Sequence, residues 1–352
     1  MVIKEISEQL AIDYLVSQRP SAGLFLQHPW WLQVEKMNGQ ATVQLGFFEQ
    51  TKLVGLALGS YRSLFGSYKY LWLPRGPLLA PKLLPTGLAL LAEYFKKEVL
   101  FIRFEPLGDR LQDFKPAVKV SALNPAVSWL TDLTNSEAVI LAKMHSKTRY
   151  NIRLAEKNNL IFSQVGLAGL EDFWQLLKLT SQRDKFGLHE FKHYANLLVV
   201  QSNQILSVDQ PEVKIFEVRQ NNKLLAASLI LFYKRTATYL HGASDYSYRK
   251  LMAPYLLHWR TLQEARQQGC LFYDWWGIAL SGPKQSTWQG ITRFKTGWDG
   301  QTIEYPGTFD YPLSNFGYWF YDVLRKINRL IRKLRFLFFI KGGLIFGKKN
   351  RI

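Results

Sequence analysis

The sequence predicts a mixed α/β protein built from two copies of one unit, each with its own mixed sheet and with a cleft between them. The first observation is length: 352 residues, about twice a typical domain. The second is a pattern of two strands around a polar turn, residues 47–58, which recurs at 217–229 and sets Lys52 and Lys223 171 positions apart. The third is a pair of later strands, 99–104 and 270–274, which align Leu100-Phe101 with Leu271-Phe272 at the same offset. Two features in one register argue for a tandem copy.

In each copy the hairpin strands are rich in Val, Ile, Leu, Phe and Tyr. An aromatic strand follows (68–73 and 236–240), then a helix, then the later strand. The helix of the first copy is expected at about 84–97, after the proline-rich Leu73-Pro-Arg-Gly-Pro77. That of the second is expected at about 249–268, stopping at Gly269. Between the copies, 134–158 reads as one helix running into a basic segment that contains Lys143, Lys147, Arg149, Arg153 and Lys157. No low-complexity linker separates the copies, so they are expected to pack directly. The expected units are 1–135, completed by about 305–322, and 136–304, with a tail at 323–352.

Hydrophobic residues make up 47% and aromatics 14%, too many for a disordered chain. The net charge is +18, but the tail holds ten Lys and Arg and no acid, which leaves +8 for the rest. In the tail Leu324, Ile327, Leu330, Ile331, Leu334 and Phe338 recur at spacings of three and four. A basic amphipathic helix of this kind suits the surface of an anionic membrane. The body's charge calls for a negatively charged partner, either a phosphate-bearing substrate or a nucleic acid. The single cysteine, Cys270, excludes a disulfide framework and a cysteine-cluster metal site, and is expected to be a buried small residue. The acidic start lacks a signal-peptide pattern, and no apolar run approaches about 18 residues, so an intracellular protein is expected.

Conventional catalytic signatures are missing: there is no G-x-S-x-G, no P-loop and no G-x-G-x-x-G. His189 and His193 are four apart, but without H-E-x-x-H they make no metal signature, and no metal is expected. The site-like stretch is Trp275-Trp276-Gly277-Ile278 followed by residues 290–300, where Lys295 stands between Phe294 and Trp298. That lysine is either a charge set in an apolar wall beside a ligand or a solvated residue at a turn.

Arg293-Phe-Lys-Thr-Gly-Trp-Asp-Gly300, with Glu304-Tyr305-Pro-Gly307 after it, resembles the F-K-x-G-F-G-G…E-Y-x-G motif of the Fem-type peptidoglycan-bridge aminoacyltransferases, the FemABX family. Gln27-His-Pro-Trp-Trp31, residues 147–157, Leu240-His-Gly-Ala-Ser244, Ala253-Pro-Tyr-Leu-Leu257 and Tyr273-Asp-Trp-Trp-Gly-Ile278 agree with it, so the resemblance spans 27–310. It implies two acetyltransferase-like (GNAT) units. It also implies transfer of an amino acid from aminoacyl-tRNA to the stem-peptide amine of lipid II or UDP-MurNAc-pentapeptide, with no cofactor besides the tRNA co-substrate. On this reading Lys295 steadies the oxyanion of aminolysis. Glu105, in Arg103-Phe-Glu105-Pro106, matches a family carboxylate that would take the amine's proton, although a structural ion pair stays equally open. Lys36 and Arg183 would hold the acceptor's diphosphate, with ordinary surface cations as the alternative. Tyr255, Trp276 and Phe294 would line the substrate site.

Residues 171–210 show no sustained heptads, so the chain resembles the compact branch without a coiled-coil arm. Transfer RNA would then lie on the body's basic surface, and the tail would favour lipid II at the inner face of the cytoplasmic membrane. Two other classes compete. An acyl-CoA N-acyltransferase is disfavoured by Arg249-Lys-Leu-Met-Ala-Pro254, which lacks the glycines of a pyrophosphate cradle. A non-catalytic membrane or RNA-binding module would use the interleaved aromatics and cations for stacking.

Overall fold

The computed structural model describes residues 1–107, 116–200, 210–279 and 288–346. The chain begins with β1 (Val2–Glu5), α1 (Glu8–Val16), α2 (Pro29–Met37), β2 (Thr42–Glu49), β3 (Lys52–Ser63) and β4 (Lys69–Leu73). Next come α3 (Leu84–Phe95), β5 (Phe101–Phe104), β6 (Val118–Val120) and β7 (Val127–Asp132). There follow α4 (Glu137–Lys143), α5 (Ser146–Glu156), β8 (Ile161–Val165), α6 (Leu170–Asp184), α7 (Phe191–Val199), β9 (Glu212–Gln220), β10 (Lys223–Tyr233) and β11 (Thr236–Ser244). The last elements are α8 (Ala253–Gln267), β12 (Phe272–Gly277), α9 (Gln289–Thr296), β13 (Gln301–Glu304), β14 (Thr308–Pro312) and α10 (Asn315–Phe346).

Two sheets run in the orders β1-β2-β3-β4-β5-β14-β6 and β8-β9-β10-β11-β12-β7-β13. They match place for place. Each opens with an antiparallel meander, β1 to β4 or β8 to β11. Each then gains a parallel neighbour across a helix, β5 after α3 or β12 after α8. Each next takes an antiparallel strand from outside its own run of chain: β14 pairs with β5, and β7 with β12. The sheet boundary therefore lies between Val120 and Val127, ahead of residue 135, because β7 inserts between β12 and β13. Gly300, at φ +143, opens β13; a Cβ there would stand 2.4 Å from the Leu130 carbonyl oxygen on β7.

The turns follow from their residues. Asn221 and Asn222 link β9 to β10 with φ of 48° and 64°, the pair of left-handed residues that a tight hairpin requires and that asparagine tolerates. Lys234 and Arg235 do the same between β10 and β11 at φ of 45° and 59°, where neither residue favours it. The compensation is Lys234 Nζ, which donates to the carbonyls of Leu15, Val16 (2.9 Å) and Gln18 (2.7 Å) and so caps α1 across the two halves.

Two helices depart from expectation. The stretch 134–158 is two helices, broken where Met144 turns extended (ψ 153°) and His145 caps α5 by accepting from the Lys147 amide at 3.2 Å. The helix expected from 249 begins at Ala253, because Met252 is left-handed (φ 56°) and Pro254 falls in the first turn.

Strand β10 shows how the core is divided. Its residues alternate, with Ala227, Leu229, Leu231 and Tyr233 on one face and Ala226, Ile230 and Phe232 on the other. The second set packs with α8 and α5 residues such as Leu256, Leu262, Ile152 and Ala155. The first set faces a cluster shared by the halves, in which Leu15, Trp30 and Val34 of α1 and α2 meet Phe173, Leu177 and Leu197 of α6 and α7. A third cluster, including Leu45, Leu71, Leu88, Leu91, Phe95 and Phe104, packs α3 on the first sheet.

One ion pair pins β14. Arg103 and Asp310 are direct cross-strand partners, with Nε to Oδ1 at 2.6 Å and Nη2 to Oδ2 at 2.8 Å, and the carboxylate is fully buried. Tyr318 of α10 donates to Asp310 Oδ2 at 2.9 Å, and Arg103 Nη2 donates to the Tyr321 hydroxyl at 3.3 Å. The Asp310→Ala variant strands a buried guanidinium and is expected to lose about 3–5 kcal/mol of stability. Urea denaturation checks this, and a midpoint equal to wild type would contradict it.

Candidate active site

The site grows from a fault in β12. Along this strand Asp274 pairs with Leu130 and Gly277 with Ser128, so an extra residue is accommodated between the two pairs. Trp276 absorbs the bulge in a left-handed conformation (φ 59°), and its amide donates to Asp274 Oδ1 at 2.9 Å. Asp274 Oδ1 also accepts from the Ser128 hydroxyl, while Oδ2 has no partner among the described residues. Burial pushes the Asp274 carboxyl above the usual carboxylate range, against the pull of these hydrogen bonds and of Arg75 and Lys295.

Lys295 meets this bulge from the last turn of α9, where a cation complements the helix dipole. It lies on a helix, 7% exposed, and not on a solvated turn. Its Nζ donates to the Gly277 carbonyl at 2.8 Å and stands 5.4 Å from the Tyr239 ring. Burial lowers its pKa to about 8, and Asp274 opposes the fall. An aromatic box holds the region in place. Phe294 lies edge-on to Tyr255 (5.2 Å), Trp275 and Trp298 stack at 5.1 Å, and His258 bonds the Tyr273 hydroxyl at 3.0 Å. Burial, then the Lys295 charge, drives His258 down to about 3, so it stays neutral.

Beside the bulge, two connections cross from one sheet to the other, 121–126 and 305–307. Arg75, 1% exposed two residues past β4, donates to the Pro125 carbonyl at 2.7 Å on the first of them. Its guanidinium lies 3.6 Å from the ring of Tyr305 on the second and 5.6 Å from Trp276. Glu105 is 1% exposed and serves the same joint. It accepts from the Asn124 amide (3.0 Å), Asn124 Nδ2 (2.8 Å) and Thr308 Oγ1 (2.7 Å). All three donors are neutral, and Glu105 has no ion pair among the described residues.

The residues picked from sequence thus separate into groups. Lys295, Phe294 and Tyr255 come together in the aromatic box, and Trp276 lies on the bulge between Lys295 and Arg75. Lys36 and Arg183 are exposed on the last turns of α2 and α6. Lys36 has no ion pair among the described residues, whereas Arg183 binds Asp184 (2.7 Å) and donates to the Ser244 carbonyl (3.0 Å). Sequence reasoning missed Arg75, which reads as turn punctuation in a proline-rich stretch. It also passed over Asp274, whose signal was a lone acid in the apolar run Tyr273-Asp-Trp-Trp.

A family model described as the FemAB family matches residues 116–208 and 201–326. A lipid II:glycine glycyltransferase of Staphylococcus saprophyticus is 21% identical over 86% of this chain and 91% of its own length. One from Staphylococcus epidermidis is 20% identical over 92% and 95%. The crystal structure of FemX has a TM-score of 0.74 at 17% identity, covering 89% of this chain and 97% of that one. A tandem GNAT protein from the clavulanic acid biosynthesis pathway reaches 0.52 at 9% identity, over 89% and 98%. The two structures bear on the fold alone, and they agree with the tandem acetyltransferase-like architecture expected from the repeat. The matched stretch runs from ahead of β7 through β12, α9 and β14, so it holds the bulge, its lysine and both sheet crossings; the chain belongs to the FemAB family.

Proposed function

We propose that this chain is an aminoacyltransferase that moves an amino acid from aminoacyl-tRNA to the stem-peptide amine of lipid II, building an interpeptide bridge. The observation that carries the reading is Lys295, an ammonium group taken out of water and set against a strand bulge at the sheet crossing. In aminolysis the amine attacks the ester carbonyl and the carbonyl oxygen gains negative charge; as the carbonyl re-forms, the bond to the tRNA ribose oxygen breaks and that ribose oxygen takes up the proton that the amine gives up. A fixed cation in a dry pocket stabilises the oxyanion without reorganising solvent. Asp274 favours the charged form of Lys295, and Glu105 acts through position by holding the crossings beside it. The names of the staphylococcal relatives support lipid II as acceptor.

Two surfaces support the partners. Lys143 ends α4, and Lys147, Tyr150, Arg153 and Lys157 follow at helical spacing along α5 and its C-cap, all of them exposed. The His145 amide ahead of α5 donates to the Gly297 carbonyl at 3.0 Å, two residues past Lys295. A basic stripe that starts beside the reacting group suits the phosphates of an acceptor stem. The second surface is α10, where Phe316 (76% exposed), Trp319 (58%), Phe320, Ile327, Leu330 (58%) and Ile331 leave an apolar stripe uncovered. No described helix is long and apolar enough to cross a membrane. An uncovered apolar stripe on a basic helix suits lying on an anionic bilayer, where lipid II resides.

The reaction is tested by incubating the protein with charged tRNA and either lipid II or UDP-MurNAc-pentapeptide. An RNase-sensitive mass gain on lipid II is expected, and no gain on either acceptor would overturn the reading. Lys295→Met is expected to lower kcat about 10²–10³-fold with little change in acceptor KM. Wild-type kcat should fall as pH rises through about 8, since the cation is the working form. Asp274→Asn removes the charge that holds the proton on and should move that limb to lower pH. A limb near the ordinary lysine value in both proteins would contradict the assignment. Deleting 323–352 should reduce co-sedimentation with anionic liposomes roughly tenfold or more, each basic residue near the surface being worth about 1 kcal/mol.

A further inference from the structure

A group of exposed aromatic side chains joins two elements that lie far apart in sequence, the β3–β4 hairpin and α10. Ser63 and Lys69 are the last paired residues of the hairpin, so its tip is Leu64-Phe-Gly-Ser-Tyr68. The Leu64 amide donates to the Tyr68 carbonyl at 2.9 Å, and the Tyr68 amide to the Phe65 carbonyl at 3.0 Å. Gly66 supplies a left-handed residue (φ 54°), and nothing beyond its chain neighbours lies within 4 Å of where its Cβ would be, so the tip stands clear of the body. A tight turn ordinarily displays small polar residues. This one displays two aromatic rings, Phe65 and Tyr68, 5.1 Å apart, and Tyr68 is 51% exposed.

The tip rests on the helix. Phe65 lies edge-on to Phe320 of α10 at 5.7 Å, and Phe320 is itself exposed. One turn back, Phe316 and Trp319 pack ring to ring at 6.0 Å, both open to solvent. The helix cannot turn this face inward. Tyr318 and Tyr321 are bonded to the Asp310–Arg103 pair, and a Cβ on Gly317 would stand 2.8 Å from Leu100 Cδ2. Ring contacts therefore lead from Tyr68 through Phe65 to Phe320, which begins the exposed stripe that Ile327, Leu330 and Ile331 continue along α10.

Charge selects the occupant. No Asp or Glu occurs between Glu49 and Glu93, whereas Arg62 and Lys69 flank the tip. Helix α10 holds seven Lys and Arg and one acid, Asp322, which Arg325 (2.7 Å) and Lys326 (2.8 Å) already engage. An apolar surface with aromatic rings at its margin and cations around it matches the interface of an anionic bilayer, where such rings settle at headgroup level. A helix alone touches a bilayer along a line and leaves the body free to roll about that line. The hairpin, set to one side, supplies a second point of contact. We infer that the β3–β4 hairpin tip, through Phe65 and Tyr68, inserts beside α10 into the interface of an anionic membrane and fixes how the molecule sits there. This role of the hairpin rests on the proposed placement of α10 on the bilayer, whereas that placement does not depend on the hairpin.

The chain's single cysteine, Cys270, is buried, so a cysteine placed at the tip can be labelled alone. The test labels Tyr68→Cys in the full chain with an environment-sensitive fluorophore, and Ile161→Cys, on the far edge of the second sheet, as the control. Vesicles of phosphatidylglycerol and phosphatidylcholine should shift the emission of the label at position 68 to the blue. Vesicles of phosphatidylcholine alone should leave it unchanged, and the label at position 161 should respond to neither. In co-sedimentation, Phe65→Ser/Tyr68→Ser should partition into the anionic vesicles about tenfold more weakly, having lost the apolar area of two rings. Phe65→Leu/Tyr68→Trp should recover most of that loss. Vesicle binding with the label at position 68 still in water, or wild-type partitioning of the serine variant, would overturn the inference and leave α10 as the contact. Failure of the wild type to bind anionic vesicles would overturn the placement of hairpin and helix together. If the wild type binds vesicles but transfers nothing to either acceptor, the functional reading fails, while the label still judges the hairpin.

Discussion

Two short connections pass side by side from one sheet to the other, and the molecule is organised around holding them together. Through 121–126 the chain leaves β6 of the first sheet to become β7 of the second, and through 305–307 it returns from β13 to β14. Each sheet is thus completed by chain that does not belong to its own copy. Withdrawing β7 or β14 would expose unpaired edges in the sheet that it completes. This explains the concentration of buried polar groups there. Glu105 bonds to the first connection and to Thr308 where β14 begins, Arg75 binds the first connection and stacks on the second, and the Tyr305 amide donates to the Ala126 carbonyl at 2.8 Å. Arg75 and Glu105 are each 1% exposed, and their hydrogen bonds offset the cost of burial, although Arg75 Nε has no partner among the described residues.

The joint also accounts for the charge at the site. Lys295 and Arg75 bring two cations to one fully buried anion, Asp274, whose Oδ2 is left without a partner among the described residues. Burial lowers the Lys295 pKa and the Asp274 charge opposes the fall, leaving it at about 8. A lysine so balanced is charged at neutral pH, yet its charge is poorly screened. An exposed lysine would hold its proton more firmly but would spend its field on water. Around Lys295 the aromatic box of Tyr255, Trp275, Phe294 and Trp298 excludes that water.

What could be read from sequence is what neighbouring residues decide. The hairpins were legible because strand alternation and the Asn221-Asn222 turn are local, and the duplication because it preserved spacing. Lys295 was legible through its glycine and aromatic neighbours, although its helix was not. The strand exchange was hidden, since nothing in Val127–Asp132 or Thr308–Pro312 states which sheet will accept it. The breaks at Met144 and Met252 were hidden for a related reason: methionine favours neither conformation, and tertiary contacts impose both. Glu105 shows the opposite case: its motif was visible, but its partners Asn124 and Thr308 were not, one of them lying 203 positions away.

The exchange ties the chemistry to the surface that would face a membrane. Strand β14 lies between β5 and β6, its Asp310 is locked to Arg103, and Tyr318 and Tyr321 of α10 close over that pair. The opposite side of α10 carries the uncovered apolar stripe. The helix is therefore fixed by an ion pair inside the first sheet, on the same short strand whose Thr308 bonds Glu105 at the crossing. A lipid-linked acceptor approaching along that stripe would meet a platform whose orientation toward the crossing is set by covalent continuity and by one bidentate pair. A flexible anchor would hold the enzyme at the membrane equally well but would leave the pocket's direction free. On the proposed reading, the rigid attachment of α10 is what makes a membrane-lying helix useful to a buried lysine on the other side of the joint.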